Sequence, residues 1–166
     1  MTPPPAAVGD HDPAAVLARF LAAIEAGDLD AVRGAYHPDA VIWHSHDRSE
    51  ESVEHNLRTL AWITTHLPGL RYTNVRRHGF SGGVVQQHDT VVAVPGSATL
   101  TMTACLVVRI DDDGLITRVD EYLDSAAVAE LTAMATSNLR TDPLGAAAPE
   151  GAATTETASV RDGPPA

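Results

Sequence analysis

The sequence predicts an α+β fold: a cone-shaped, curved antiparallel sheet wrapped around N-terminal helices. Apolar residues recur at helical spacing in three stretches before residue 66, then at alternate positions in four successive segments. Helices first and strands after is the order of a sheet with its helices gathered to one side. The chain of 166 residues, 44% hydrophobic and 20% charged, suffices for one domain with a core.

Asp12-Pro13 opens the first helix, with Asp at the N-cap and Pro at the first helical position. Val16, Leu17, Phe20, Leu21 and Ile24 follow at helical spacing, and Gly27 is a natural stop. Asp28 caps a shorter helix carrying Leu29, Val32 and Tyr36. "HPDA" reads as a turn, and strand one is expected from Ala40 to about His46. Asp47 and Glu50 have capping-box spacing, so a third helix is expected to follow, with Val53, Leu57, Leu60 and Ala61 on one side. It must stop near His66, before Pro68-Gly69. Segments 70–78, 83–94, 98–110 and 115–124 read as strands, with "SGG", "PGS" and "DDDG" as turns between them. Ser125 is expected to cap a closing helix over 126–135. Residues 1–11 and 137–166 are nearly free of large apolar side chains and cannot offset their ordering entropy. The expected organisation is therefore disordered tails on a single domain over 12–136.

The formal net charge of -11 argues against nucleic acid, which needs a basic face. A single cysteine, Cys105, leaves no internal disulfide, and its apolar strand setting marks it as a packed small side chain. No apolar run approaches the ~20 residues of a membrane span. The opening "MTPPPAAVGDHDP" lacks the basic start and apolar run of a signal peptide, so a cytoplasmic location and no membrane partner are expected.

"VIWHSHD" places His44 and His46 on one strand face with Ile42. An imidazole titrating near ~6.5 suits proton transfer at neutral pH. A hydrogen-bonded core histidine, a solvated strand end and a metal ligand are the alternatives. Glu121 shares a face with Val119 and Leu123, where a carboxylate resists ionising unless paired. Gln86 and His88 share a face of a Val-rich strand, with Gln87 and Asp89 on the other, and the first pair is expected inside. Trp62 on the third helix is the expected pocket wall. His44, His46, His88 and Glu121 are a conceivable metal set, but no longer metal motif accompanies them. No metal and no cofactor are expected.

"AGDLDAVRGAYHPDAVIWH" and "DDDGLITRVDEYLD", at this separation, resemble the opening and the closing hairpin of nuclear-transport-factor-2-like proteins, the superfamily of SnoaL-like polyketide cyclases and ketosteroid isomerases. The resemblance spans about 12–135. It implies a cone-shaped α+β barrel, commonly a homodimer, with an interior apolar pocket for a small apolar or polycyclic molecule. It places the catalytic aspartate of ketosteroid isomerases at His44, their oxyanion-hole tyrosine at Phe20 and their protonated aspartate near Leu106. The base position keeps a titratable group while both donor positions lose theirs, so the looser SnoaL-like group fits better. The expected reaction is acid–base isomerisation, cyclisation or dehydration. His44 is then the base, with Glu121 as its partner or as proton donor. Phe20, Tyr36, His46, Trp62, Gln86, His88, Leu106, Val119 and Leu123 are the expected pocket residues. A non-catalytic binding module of the same fold is the second reading. An epoxide hydrolase is the third; it needs an arginine between two carboxylates, and Arg118 lies with Asp120 on the face expected to point away from the cavity.

Overall fold

The computed structural model describes residues 12–67, 69–93 and 99–141. The expected tail 1–11, residues 142–166 of the expected tail 137–166 and the "PGS" turn lie outside the described residues, whereas 137–141 are helical. Helix α1 (Pro13–Ala26) begins with the Asp12 side chain accepting from the Ala14 N–H and ends at Gly27, whose φ of 70° is the left-handed conformation glycine adopts freely. Helix α2 (Leu29–Ala35) is capped by Asp28, which accepts from the Ala31 N–H. Strand β1 is Tyr36–His44, the short β2 is Glu50–Ser52 and helix α3 is Val53–His66. Strands β3 (Arg71–Phe80), β4 (Gly83–Ala93), β5 (Thr99–Ile110) and β6 (Ile116–Leu123) precede helix α4 (Ser125–Thr141).

The six strands form one sheet in the order β2-β1-β6-β5-β4-β3. It is curved and open, with β2 and β3 at its edges, so the barrel that the resemblance implies is an unclosed sheet. One neighbour pair is parallel: β1 runs alongside β6, while every other pairing is antiparallel. Helices α1 and α3 pack on the inner face, α1 over β3 and β4 and α3 over β1 and β2. Leu17, Val32, Ile42, Val84, Val108 and Ile116 are buried between these layers. Ala127, Val128, Leu131 and Met134 bring α4 against the same core.

Four expectations are corrected. "HPDA" belongs to β1; residues 37–40 fall where the register to β6 shifts, so Pro38 breaks no ladder pairing with β6. Strand β1 ends at His44, which leaves His46 in a turn. Asp47 does not cap α3, because its Oδ1 accepts from the Ser49 N–H and its carboxylate from the Ser49 hydroxyl. The cap is Ser52, whose Oγ accepts from the His55 N–H. Helix α4 runs on to Thr141, and at its start the Asp124 carboxylate accepts from the Ala126 N–H.

Gly83 opens β4 where the hairpin from β3 closes. A Cβ there would lie 2.2 Å from the Val108 carbonyl oxygen and 2.5 Å from the Phe80 ring. Backbone on one side cannot yield, so Gly83→Ala is expected to cost ~1–3 kcal/mol, the usual range for overpacking. Thermal unfolding should show a drop of several degrees; an unchanged midpoint would mean that the β4–β5 ladder shifts freely.

Candidate active site

The parallel pairing of β1 with β6 sets His44 opposite Glu121, two residues 77 positions apart in the chain. Ser45 locks that register. Its N–H donates to the Glu121 carbonyl at 2.8 Å, and its hydroxyl oxygen accepts from the Leu123 N–H at 2.9 Å. The turn then closes on itself, with the His44 N–H donating to the Ser49 carbonyl and the Arg48 N–H to the His44 carbonyl. Arg48 takes φ 61°, uncommon for a residue with a side chain.

Side-chain geometry follows from this register. His44 Nδ1 lies 2.8 Å from Glu121 Oε2, a charge-assisted hydrogen-bond distance. On the other side, His44 Nε2 lies 3.6 Å from Glu51 Oε2, an ion pair rather than a hydrogen bond. His55 Nε2 approaches the same carboxylate at 3.9 Å. The side chains of His44, Glu51 and Glu121 are only 12%, 15% and 26% exposed. Burial alone would lower the His44 pKa, but the flanking carboxylates of Glu121 and Glu51 outweigh it and raise it to about 10. The His44 charge in turn holds Glu51 below the ordinary carboxylate range, against the opposing effect of its burial. A pKa raised that far favours the imidazolium at neutral pH, with its Nδ1–H donated to Glu121.

The rest of the inner face carries further polar groups. The Tyr36 hydroxyl donates to Asn56 Oδ1 at 3.2 Å. Burial and the nearby Glu121 charge push the Tyr36 and Tyr72 phenols well above their ordinary range, so both stay neutral donors. Arg77 Nε donates to Gln86 Oε1 at 2.6 Å, which turns the Gln86 amide nitrogen toward His88 Nδ1 at 3.1 Å. His88 Nδ1 must then accept, and Nε2–H faces Thr90 Oγ1 at 3.2 Å. Burial lowers the His88 pKa, consistent with this neutral tautomer.

The other sequence-predicted residues fall in different settings. Gln86 and His88 are 0% and 3% exposed, with Gln86 on the cross-strand row that runs through Leu106 to Glu121 and His44. Phe20 is buried in the core, edge-on to Tyr36 at 5.1 Å, and Leu106 and Val119 are also core residues. Leu123 is half-buried. Trp62 packs against the core, stacks on His66 at 4.9 Å and has a buried indole N–H without a hydrogen-bond partner among the described residues. His46, displaced into the turn, has its ring 5.6 Å from that of His44 and lies 3.7 Å from the Asp47 carboxylate. Among the described residues no group of three His, Cys, Asp or Glu side chains is placed to hold a metal ion.

Arg118 does stand between two carboxylates, 2.7 Å from Asp120 and 3.1 Å from Glu50. Strand alternation puts this trio on the outer face, away from His44. An open depression of about 810 Å³ also lies largely on that outer side, lined by Val75, Arg76, Gln87, Asp89, Thr103 and Tyr122 and, of the expected pocket residues, by His88 and Leu123. The His44 cluster is not part of it. Sequence reasoning missed Glu51 and Ser45; a three-residue strand shows no period, and the clamp depends on a pairing between distant segments.

The model of the SnoaL-like domain family matches residues 17–119, more than half of the chain. The chain belongs to the SnoaL-like domain family. No curated protein sequence matches it. Among solved structures, this SnoaL-like chain is similar to IdmH of Streptomyces antibioticus, described as a candidate polyketide cyclase: 21% identity, 74% of this chain, 99% of that one and a TM-score of 0.64. A candidate SnoaL-like polyketide cyclase of Shewanella denitrificans is similar at 11% identity, over 73% of this chain and 97% of that one, with a TM-score of 0.63. An epoxide hydrolase of the LEH-like type from M. tuberculosis is similar at 19% identity, over 76% of this chain and 93% of that one, with a TM-score of 0.60. At these identities the likeness is one of fold. No helix among the described residues is long and apolar enough to cross a membrane.

Proposed function

We propose that this SnoaL-like domain is a cofactor-independent enzyme that moves protons on a small apolar or polycyclic carbonyl compound, in an isomerisation, cyclisation or dehydration. The observation that carries the reading is the His44–Glu121 pair, set on an apolar sheet face and largely withdrawn from water. A pair of this kind adds little stability that apolar packing would not. A strongly perturbed histidine between two carboxylates is instead a common mark of a site of chemistry.

Roles follow from the protonation states. Glu121 holds Nδ1–H and so aims Nε2–H of the imidazolium at the substrate. A donor whose pKa is about 10 is matched to an oxygen of comparable basicity, such as that of an enolate, rather than to a ground-state ketone. Tyr72, kept neutral, can orient a second oxygen. The candidate cyclases among the similar structures support a small-molecule reaction of this class. For the outer face, where Tyr122 is 49% exposed beside Trp43, we propose a homodimer contact. The test is incubation of the wild type and His44→Gln with bicyclic and polycyclic ketones, followed by chromatography of isomeric products. Conversion by the wild type that is lost in the variant supports the reading. Equal behaviour of the two proteins, with ligand still bound, would establish the binding-module alternative instead.

A further inference from the structure

Glu51 has an oxygen that the fold leaves without a hydrogen bond. Its strand, β2, is an edge strand of three residues, and the pairing of Ile42 with Glu51 turns the carboxylate inward while Glu50 points out to Arg118. Oε2 is buried and has no hydrogen-bond partner among the described residues. Leaving a buried acceptor unpaired costs on the order of 1–3 kcal/mol, more when it is charged. The nearest cation, His44 Nε2, stops 3.6 Å away, beyond hydrogen-bond reach. A donor N–H and an ionised acceptor thus face each other without closing a bond between them.

We propose that Glu51 is the base that works against His44 as acid, and that the substrate is a ketone with an enolisable hydrogen on the carbon next to its carbonyl. This rests on the reading of His44 as a proton donor and adds to it the second catalytic residue. The carbonyl oxygen and the neighbouring carbon of a ketone are two bonds apart. That span fits a donor and an acceptor 3.6 Å apart, each touching its own atom from the same side.

The step balances. The C–H bond next to the carbonyl breaks, and its proton goes to Glu51 Oε2. The electron pair of that bond becomes the new C=C bond. The carbonyl π pair moves to oxygen, which takes the proton from His44 Nε2. Glu51 is then a neutral acid, and His44 a neutral imidazole whose remaining Nδ1–H still donates to Glu121. No redox partner is consumed. Glu51 and His44 lose their opposite charges together as the enol forms, and Glu121 keeps the hydrogen bond from Nδ1–H. Returning the proton to a different carbon gives an isomer; attack of the enol carbon on a second carbonyl gives a ring.

The experiment is deuterium exchange into 2-tetralone, an enolisable bicyclic ketone, in D2O buffer, followed by proton NMR with the full chain. Wild type should exchange above the buffer rate. Glu51→Gln should lose ~10²-fold or more of that excess, the usual worth of a general base. Probe affinity, read from tryptophan fluorescence, should stay within a few-fold, which a merely structural role would not predict. Glu51→Asp should recover part of the rate, and Glu50→Gln should match the wild type. Should Glu51→Gln unfold by circular dichroism, Glu51→Asp decides: slower exchange with unchanged affinity supports the assignment, and wild-type exchange overturns it. Wild-type exchange in Glu51→Gln beside an inert His44→Gln removes Glu51 and leaves the His44 reading standing. Full exchange in His44→Gln sinks that reading itself. No exchange by the wild type overturns the enolisable-ketone assignment, while His44 is still judged by product formation.

Discussion

Replacing His44 by glutamine is expected to lower turnover by ~10²–10⁴, the range that positioned acid–base catalysis commonly supplies. Glutamine keeps polarity and an N–H for each flanking carboxylate but cannot give up a proton. The fold should persist, with a modest loss in melting temperature, because Glu121 and Glu51 then face each other without a cation. His46→Gln should cost much less. The His46 side chain is 28% exposed in the turn after β1, with the Asp47 carboxylate 3.7 Å away. Steady-state turnover of the two variants, with circular dichroism as a fold control, separates the cases. Full activity in His44→Gln would remove His44 from the chemistry and leave a binding module. Equal, chelator-sensitive losses in both would point to a metal instead.

Local signals in the chain were legible where one residue governs one bond. Asp12, Pro13 and Gly27 frame α1 as their chemistry dictates. The alternation along 83–93 and 99–110 gives two strands whose buried residues fall on the expected face. Misreadings cluster between 36 and 52, where signals compete. Asp47 has the right distance to Glu50 for a capping box, yet Ser49 takes its carboxylate first, and the real cap comes five residues later at Ser52. That error hid β2 and with it Glu51. The parallel alignment of β1 with β6 joins segments about 80 residues apart, so no local pattern reveals it. Alternation could place His44 and Glu121 on inward faces, but only the pairing gives them a 2.8 Å contact. The ordinary imidazole pKa is no guide here for the same reason: two carboxylates, one of them unnoticed, push that of His44 upward.

Glu121→Gln should show this electrostatic control directly. With the hydrogen-bonded carboxylate neutralised, only Glu51 still favours the imidazolium, while burial opposes it. The His44 titration, followed by NMR of its ring protons, should fall from about 10 toward or below the ordinary value. Stability should follow with a definite sign. A histidine whose folded pKa is raised contributes stability that is complete below its unfolded value of about 6.5 and is lost as pH climbs through about 10. Between those limits the folded state binds more protons than the unfolded state, so the melting temperature of the wild type should decline with rising pH. In Glu121→Gln the decline should begin lower and be shallower. Glu51 acts in the opposite sense. Its depressed pKa gives stability above the ordinary carboxylate range that is lost as pH falls through its folded value. Acid destabilisation should therefore persist in Glu121→Gln while the alkaline slope flattens. Parallel melting curves for the two proteins from pH 6.5 to 10 would show that Glu121 does not set the charge of His44, and the proton-donor role would lose its physical basis.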